Sequence, residues 1–201
     1  MKNYTLKSDN QIKRLYLGGL SAPAISAELK VSLNKVYSSL KRNNIRRRTA
    51  SIQNKIRFEN KPLSFKLKDN LKQPERDLLI AASMLYYGEG AKTQSTVDFA
   101  NSDPKALVLF IKFLREICRV DESRLRFYLY CFENQNPGEL IKFWSRKLKA
   151  NDGSFTRPYI RKDTGELKRK MPYGVLHIRY SDKKLLERIL FLIERITNEL
   201  S

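Results

Sequence analysis

The chain of 201 residues sets 40 Lys and Arg against 21 Asp and Glu, a formal charge of +19, and its 41% hydrophobic residues can fill one core or two small ones. It has no apolar run of the roughly 18 residues a membrane-spanning helix needs. MKNYTLKSDN has no leader-like apolar stretch, and two cysteines (Cys118, Cys131) with one histidine make neither a disulfide framework nor a zinc set, so a soluble, cytoplasmic, nucleoid-associated protein that meets a polyanion is expected.

Charge is unevenly spread. Residues 1–75 carry 17 basic and 5 acidic side chains, a balance of +12, whereas residues 76–201 carry 23 and 16, a balance of +7. The basic first third also holds three short helical patterns. Ser8, with Gln11 three residues on, reads as a helix start, with Ile12, Leu15 and Tyr16 as the inward stripe and Gly18-Gly19 as the stop. Ser21 caps a second pattern with Ile25 and Leu29 inward. Ser32 caps a third, with Leu33, Val36 and Leu40 inward.

On the third helix Asn34, Lys35, Ser38, Lys41 and Arg42 share the opposite face, where such side chains can read base edges and grip phosphates. Arg46, Arg47 and Arg48 follow directly and suit phosphates or a minor groove. The segment Gly19–Arg48 resembles the helix-turn-helix of resolvase-type and simple bacterial regulators. The plain alternative is a trihelical bundle with a solvated charged face. Residues 49–75 show no sustained period and hold Pro62 and Pro74, which makes them a basic connector between residues 1–48 and a second domain, 76–201.

That second domain opens on Asp77–Gly90, an apolar helix ending at a glycine suited to a left-handed cap. Glu89 lies in its last turn, against the helix dipole, either paired with Lys92 or placed there to hold a hard cation such as Mg²⁺. Thr96–Asn101 reads as a strand, and Pro104 begins a helix capped by Ser102 or Asp103. Arg124–Cys131 alternates Leu125, Phe127, Leu129 and Cys131 with Arg124, Arg126, Tyr128 and Tyr130, giving one core face and one face of arginines and tyrosines. Pro137–Lys149 is helical. Phe155–Lys162 and Glu166–Lys170 form a hairpin about Asp163-Thr164-Gly165, lined by Arg157, Arg161, Lys162, Lys168, Arg169 and Lys170. Tyr173–Tyr180 is a last strand, with His177 read as structural or phosphate-contacting, and an amphipathic helix opened by Asp182 closes the chain.

The helix ending Gly-Glu-Gly, the run YYGEGAK followed by VDFANSDP, and the succession of helices and strands resemble the LAGLIDADG homing endonucleases over residues 76–201. Ala82–Gly90 aligns with their nine-residue motif. The resemblance implies an α+β chain in which the helix-turn-helix domain precedes an αββαββα domain with a DNA-facing antiparallel sheet. It implies a homodimer packed through Ala81, Met84, Leu85 and Gly88, with Glu89 and Gly88 at the metal site and Mg²⁺ (or Mn²⁺) bound there. Lys92 and Gln94 would position water or screen phosphate. Asp98, Arg124, Arg126, Tyr128, Tyr130, Arg157 and Arg161 would meet double-stranded DNA. Two functions use these residues: a metal-dependent endonuclease, favoured by Glu89, and a non-cleaving regulator like the sporulation regulators that join this fold to a helix-turn-helix. Ala82, Met84 and Tyr86 are atypical for the motif, and the departures at Met84 and Tyr86 lean toward the regulator. An intron-RNA splicing cofactor on the same fold is a third reading.

Overall fold

The computed structural model describes residues 2–162 and 171–200, and the chain divides into two compact units, Met1–Pro62 and Leu63–Ser201. The first unit is helical: α1 (Lys2–Leu17), α2 (Ala22–Glu28), α3 (Leu33–Arg42) and α4 (Ala50–Asn60). Ile12 and Tyr16 of α1 close on Ala22 and Ile25 of α2 and on Val36 and Leu40 of α3 to form its core. Each buried Ile, Val or Leu among them contributes about 1.5–3 kcal/mol. Ser21, Ser32 and Thr49 cap the three later helices, accepting hydrogen bonds from Ala24 N, Lys35 N and Ile52 N at 3.3 Å. Between α2 and α3, Lys30 takes a left-handed φ of 51°, and the Ser26 hydroxyl fastens the turn by donating to Val31 O at 2.6 Å.

Three expectations for this unit are corrected. Ser8 is not a cap but lies inside α1, because residues 2–7 contain no Gly or Pro and the helix is already running. Leu33 is exposed, since the first turn of α3 projects past the small core. A helix, α4, forms inside the stretch expected to lack one. It buries none of its residues, so selection for packing leaves no apolar stripe to read, and the Thr49 cap and a Lys55–Glu59 pair at 4.0 Å support it locally.

In the second unit, α5 (Gln73–Glu89), α6 (Pro104–Lys112), α7 (Pro137–Leu148) and α8 (Lys183–Leu200) accompany four strands: β1 (Val97–Asn101), β2 (Leu125–Phe132), β3 (Tyr159–Arg161) and β4 (Val175–Tyr180). The sheet order is β1-β4-β2-β3. Alternation is clear in β2, where Leu125, Phe127, Leu129 and Cys131 are buried, and β4 matches it with Leu176, Ile178 and Tyr180. These join Phe110 and Phe113, Trp144, and Leu185 and Ile189 from the helices in one core. Cys118 and Cys131 are both buried, unpaired thiols, and burial pushes the Cys118 thiol far above its ordinary pKa. Phe65, Leu67 and Leu71, ahead of α5, also pack on this core, and Lys66 N and Lys68 N donate to Cys118 O and Ile117 O.

The architecture is α+β, but the sheet is not antiparallel. β1–β4 and β4–β2 pair antiparallel, whereas β2 and β3 are parallel because α7 carries the chain back between them. Nor does a strand pair follow α5: an isolated bridge, Gly90 to Phe99, precedes the single strand β1. The hairpin turn and its second strand, with Lys168, Arg169 and Lys170, lie outside the described residues.

Gly90 has φ −83° and ψ 150°, so it is not the left-handed cap the sequence points to. Its requirement is spatial. A Cβ there would stand 2.5 Å from the ring of Tyr86, which is fully buried and stacks on Phe110 at 5.4 Å. The Tyr86 hydroxyl donates to Ala91 O at 2.6 Å, and burial, the largest influence, pushes its pKa up to about 12.

Candidate nucleic-acid interface

In the first unit, Asn34, Lys35, Ser38, Lys41 and Arg42 are all exposed on α3, as the helical spacing requires. Their freedom differs. Arg42 is a structural cation: its Nε and Nη2 donate to the two oxygens of Asp9 at 2.9 and 2.8 Å, tying α3 to α1. That charged hydrogen bond holds the Asp9 carboxyl below the ordinary carboxylate value. Arg48, expected to meet phosphates, is likewise engaged internally. Its guanidinium lies 3.9 Å over the Tyr16 ring and donates to Tyr16 O and to Leu20 O, closing the end of the bundle. Arg47 lies 4.0 Å over Tyr37, while Arg46, Lys35 and Lys41 are exposed and in no ion pair among the described residues.

In the second unit, Glu89 is the last residue of α5 and is exposed. It makes no ion pair with Lys92, whose Nζ instead donates to Gly90 O at 3.3 Å and lies 5.7 Å from the Tyr87 ring. Gln94 is exposed on the loop that follows. No cluster of three or more His, Cys, Asp or Glu side chains gathers here or elsewhere among the described residues. One carboxylate with the neighbouring carbonyl of Gly88 would leave most positions of an octahedral cation to water, phosphate or a second chain. Of the expected dimer face, Ala81 and Gly88 are exposed, and a Cβ on Gly88 would meet open space. Met84 and Leu85 are partly buried against the chain's own core, while Ile80 and Tyr87 are 43% and 55% exposed beside them.

The outer face of the sheet carries a connected polar group. Asp98 of β1 is only 6% exposed and accepts from both His177 and Arg179 of β4, at 2.9 Å to Nδ1 and 2.7 Å to Nε. Register explains this: Asp98 is directly opposite Arg179, and His177 is opposite Ala100, two residues along the same face. Burial works against the Asp98 charge, but the two partners outweigh it and hold the carboxyl below its ordinary value. Both Asp98 oxygens are therefore engaged within the sheet. The Arg179 guanidinium lies 4.3 Å over Tyr128, and the His177 ring is 4.7 Å from Tyr130, itself 5.2 Å from Tyr159 on β3.

Arg126 is exposed on β2, its Nη1 donating to Ser123 O and Leu125 O at 2.7 Å, and Arg157 and Arg161 are exposed toward β3. Arg124 is corrected: it lies in the turn before β2, where it covers Tyr180 at 4.9 Å and donates to Ser181 O at 2.6 Å. Arg179 and Tyr159 are outward residues not among the expected contacts, and the partner of His177 lies on another strand. The alternation of Leu176, Ile178 and Tyr180 carries the signal for two of them, since it sends His177 and Arg179 to the outer face. Tyr159 sits in a three-residue strand too short to show a period. No helix among the described residues is long and apolar enough to cross a membrane. Comparison of the chain with family models, with curated proteins and with solved structures finds no match.

Proposed function

We propose that the chain binds double-stranded DNA through the α3 face of its first unit and the outer sheet face of its second. The observation that carries this reading is the pairing of a Ser-capped helix bearing exposed Asn34, Lys35, Ser38 and Lys41 with a core-supporting turn before it. An arginine- and tyrosine-bearing sheet face and a charge of +19 add to it, because each phosphate contact releases counterions. The test is binding of the full chain to a duplex pool at graded salt. Lys35→Ala with Lys41→Ala should flatten the slope of log affinity against log salt by about 1–2, at ~0.9 per lost contact. An unaltered slope would place DNA elsewhere.

A second reading, metal-dependent cleavage by a homodimer, is favoured by one observation: Glu89 stands exposed at a helix end with no partner among the described residues. Two copies joined along Ala81 and Gly88 would bring two Glu89 carboxylates together, a donor set that one chain lacks. A divalent cation there would supply an activated water and stabilise the leaving oxygen. Lys92 and Gln94 would then hold phosphate and solvent close to that pair. Supercoiled plasmid nicked with Mg²⁺ or Mn²⁺, spared with chelator and spared by Glu89→Gln, supports cleavage. Binding without nicking, unchanged in Glu89→Gln, leaves a DNA-binding regulator.

A further inference from the structure

Resting on the reading that the outer sheet face meets DNA, we propose that the cleft beside β2 and β3 receives a single extrahelical base of a DNA duplex. The cleft has a volume of about 410 Å³ and is lined by Tyr130, Tyr159, Arg161, Met171, Val175 and His177. That is near the lower end of the range of about 300–1,000 Å³ for sites that enclose small ligands, room enough for one planar heterocycle.

Its walls have the chemistry of a base receptor. Tyr130 forms the middle of a run of rings, 4.7 Å from His177 on one side and 5.2 Å from Tyr159 on the other. Tyr159 is 60% exposed on an edge strand, so its ring offers an open face on which a base can stack. His177 is held in orientation because its Nδ1 is committed to Asp98, which is itself fixed by Arg179. That leaves Nε2 as the ring nitrogen available to a base edge. Arg161 brings a cation to the same cleft, matched to the phosphate that accompanies an everted nucleotide, and Met171 and Val175 supply apolar lining. A stacked base inside intact B-form DNA cannot reach such a recess, whereas an unpaired one enters without the cost of breaking its pair.

The experiment compares a short duplex with the same duplex carrying one unpaired adenine, both bound to the full chain. The bulged duplex should bind about tenfold tighter, the scale of one base–aromatic stack. In Tyr159→Ala the ratio of the two affinities should fall to about one, and in Tyr159→Phe, which keeps the ring, it should persist. With 2-aminopurine as the unpaired base, fluorescence should be quenched on binding and recover in Tyr159→Ala. Equal affinities for the two duplexes, or a preference that survives Tyr159→Ala, overturn the cleft while leaving duplex binding intact. Failure to bind either duplex overturns the DNA reading itself, and the cleft with it.

Discussion

The two basic surfaces are built on opposite principles. On α3, Lys35 and Lys41, with Arg46 beyond, project into solvent and pair with nothing among the described residues, whereas on the sheet Arg179 is clamped to Asp98 and laid over Tyr128. Long unpaired cations follow phosphates and add affinity with little directional demand. A guanidinium fixed by a carboxylate and a ring holds one orientation, which helps recognition only if the ligand fits it, and which the fold itself relies on. The first surface is therefore expected to be expendable for stability and the second not.

Substitutions break or sharpen that contrast. The largest effect is expected from Asp98→Ala, which strands Arg179 and His177 on a half-buried face and should cost about 2–4 kcal/mol in urea unfolding of the full chain. Its acid counterpart follows from the lowered Asp98 pKa. The contribution is complete above the ordinary carboxylate value of 3.8 and is lost as pH falls below it through the depressed folded value, so wild type should lose stability there while Asp98→Ala changes less. Gly90→Ala should cost about 1–3 kcal/mol, since the new methyl meets the Tyr86 ring. Arg42→Ala, breaking the solvent-screened tie to Asp9, should lower the unfolding midpoint by less than either of these. Lys35→Ala with Lys41→Ala should leave the unfolding midpoint within about 0.5 kcal/mol while altering the salt slope. A large stability loss in that last variant, or none in Asp98→Ala, would dissolve the distinction between the two faces.

What the sequence discloses depends on how far away a residue's partner is. The outward set on β2 is legible because alternation is a nearest-neighbour property, and the caps at Ser21 and Ser32 because they act over three residues. Arg48 looks like a phosphate ligand in the run Arg46-Arg47-Arg48 because its acceptors, Tyr16 O and Leu20 O, are some thirty residues back. Asp98 is read as a DNA contact for the same reason, its partners lying about eighty residues on. The parallel pairing of β2 with β3 is equally hidden, since it follows from the path of α7 and not from either strand's own pattern. Gly90 shows a further kind of concealment: glycine is needed there, but for room beside a ring and not for its backbone freedom. Glu89 lies where the helical pattern puts it, at the end of α5.

Both thiols of the chain are sealed in the core of the second unit, Cys118 at 0% and Cys131 at 3% exposure. The native protein should therefore be nearly silent toward alkylating reagents, and each modified molecule should record one opening of that unit. Timed labelling at Cys118 thus offers an internal clock for the sheet unit that needs no introduced cysteine.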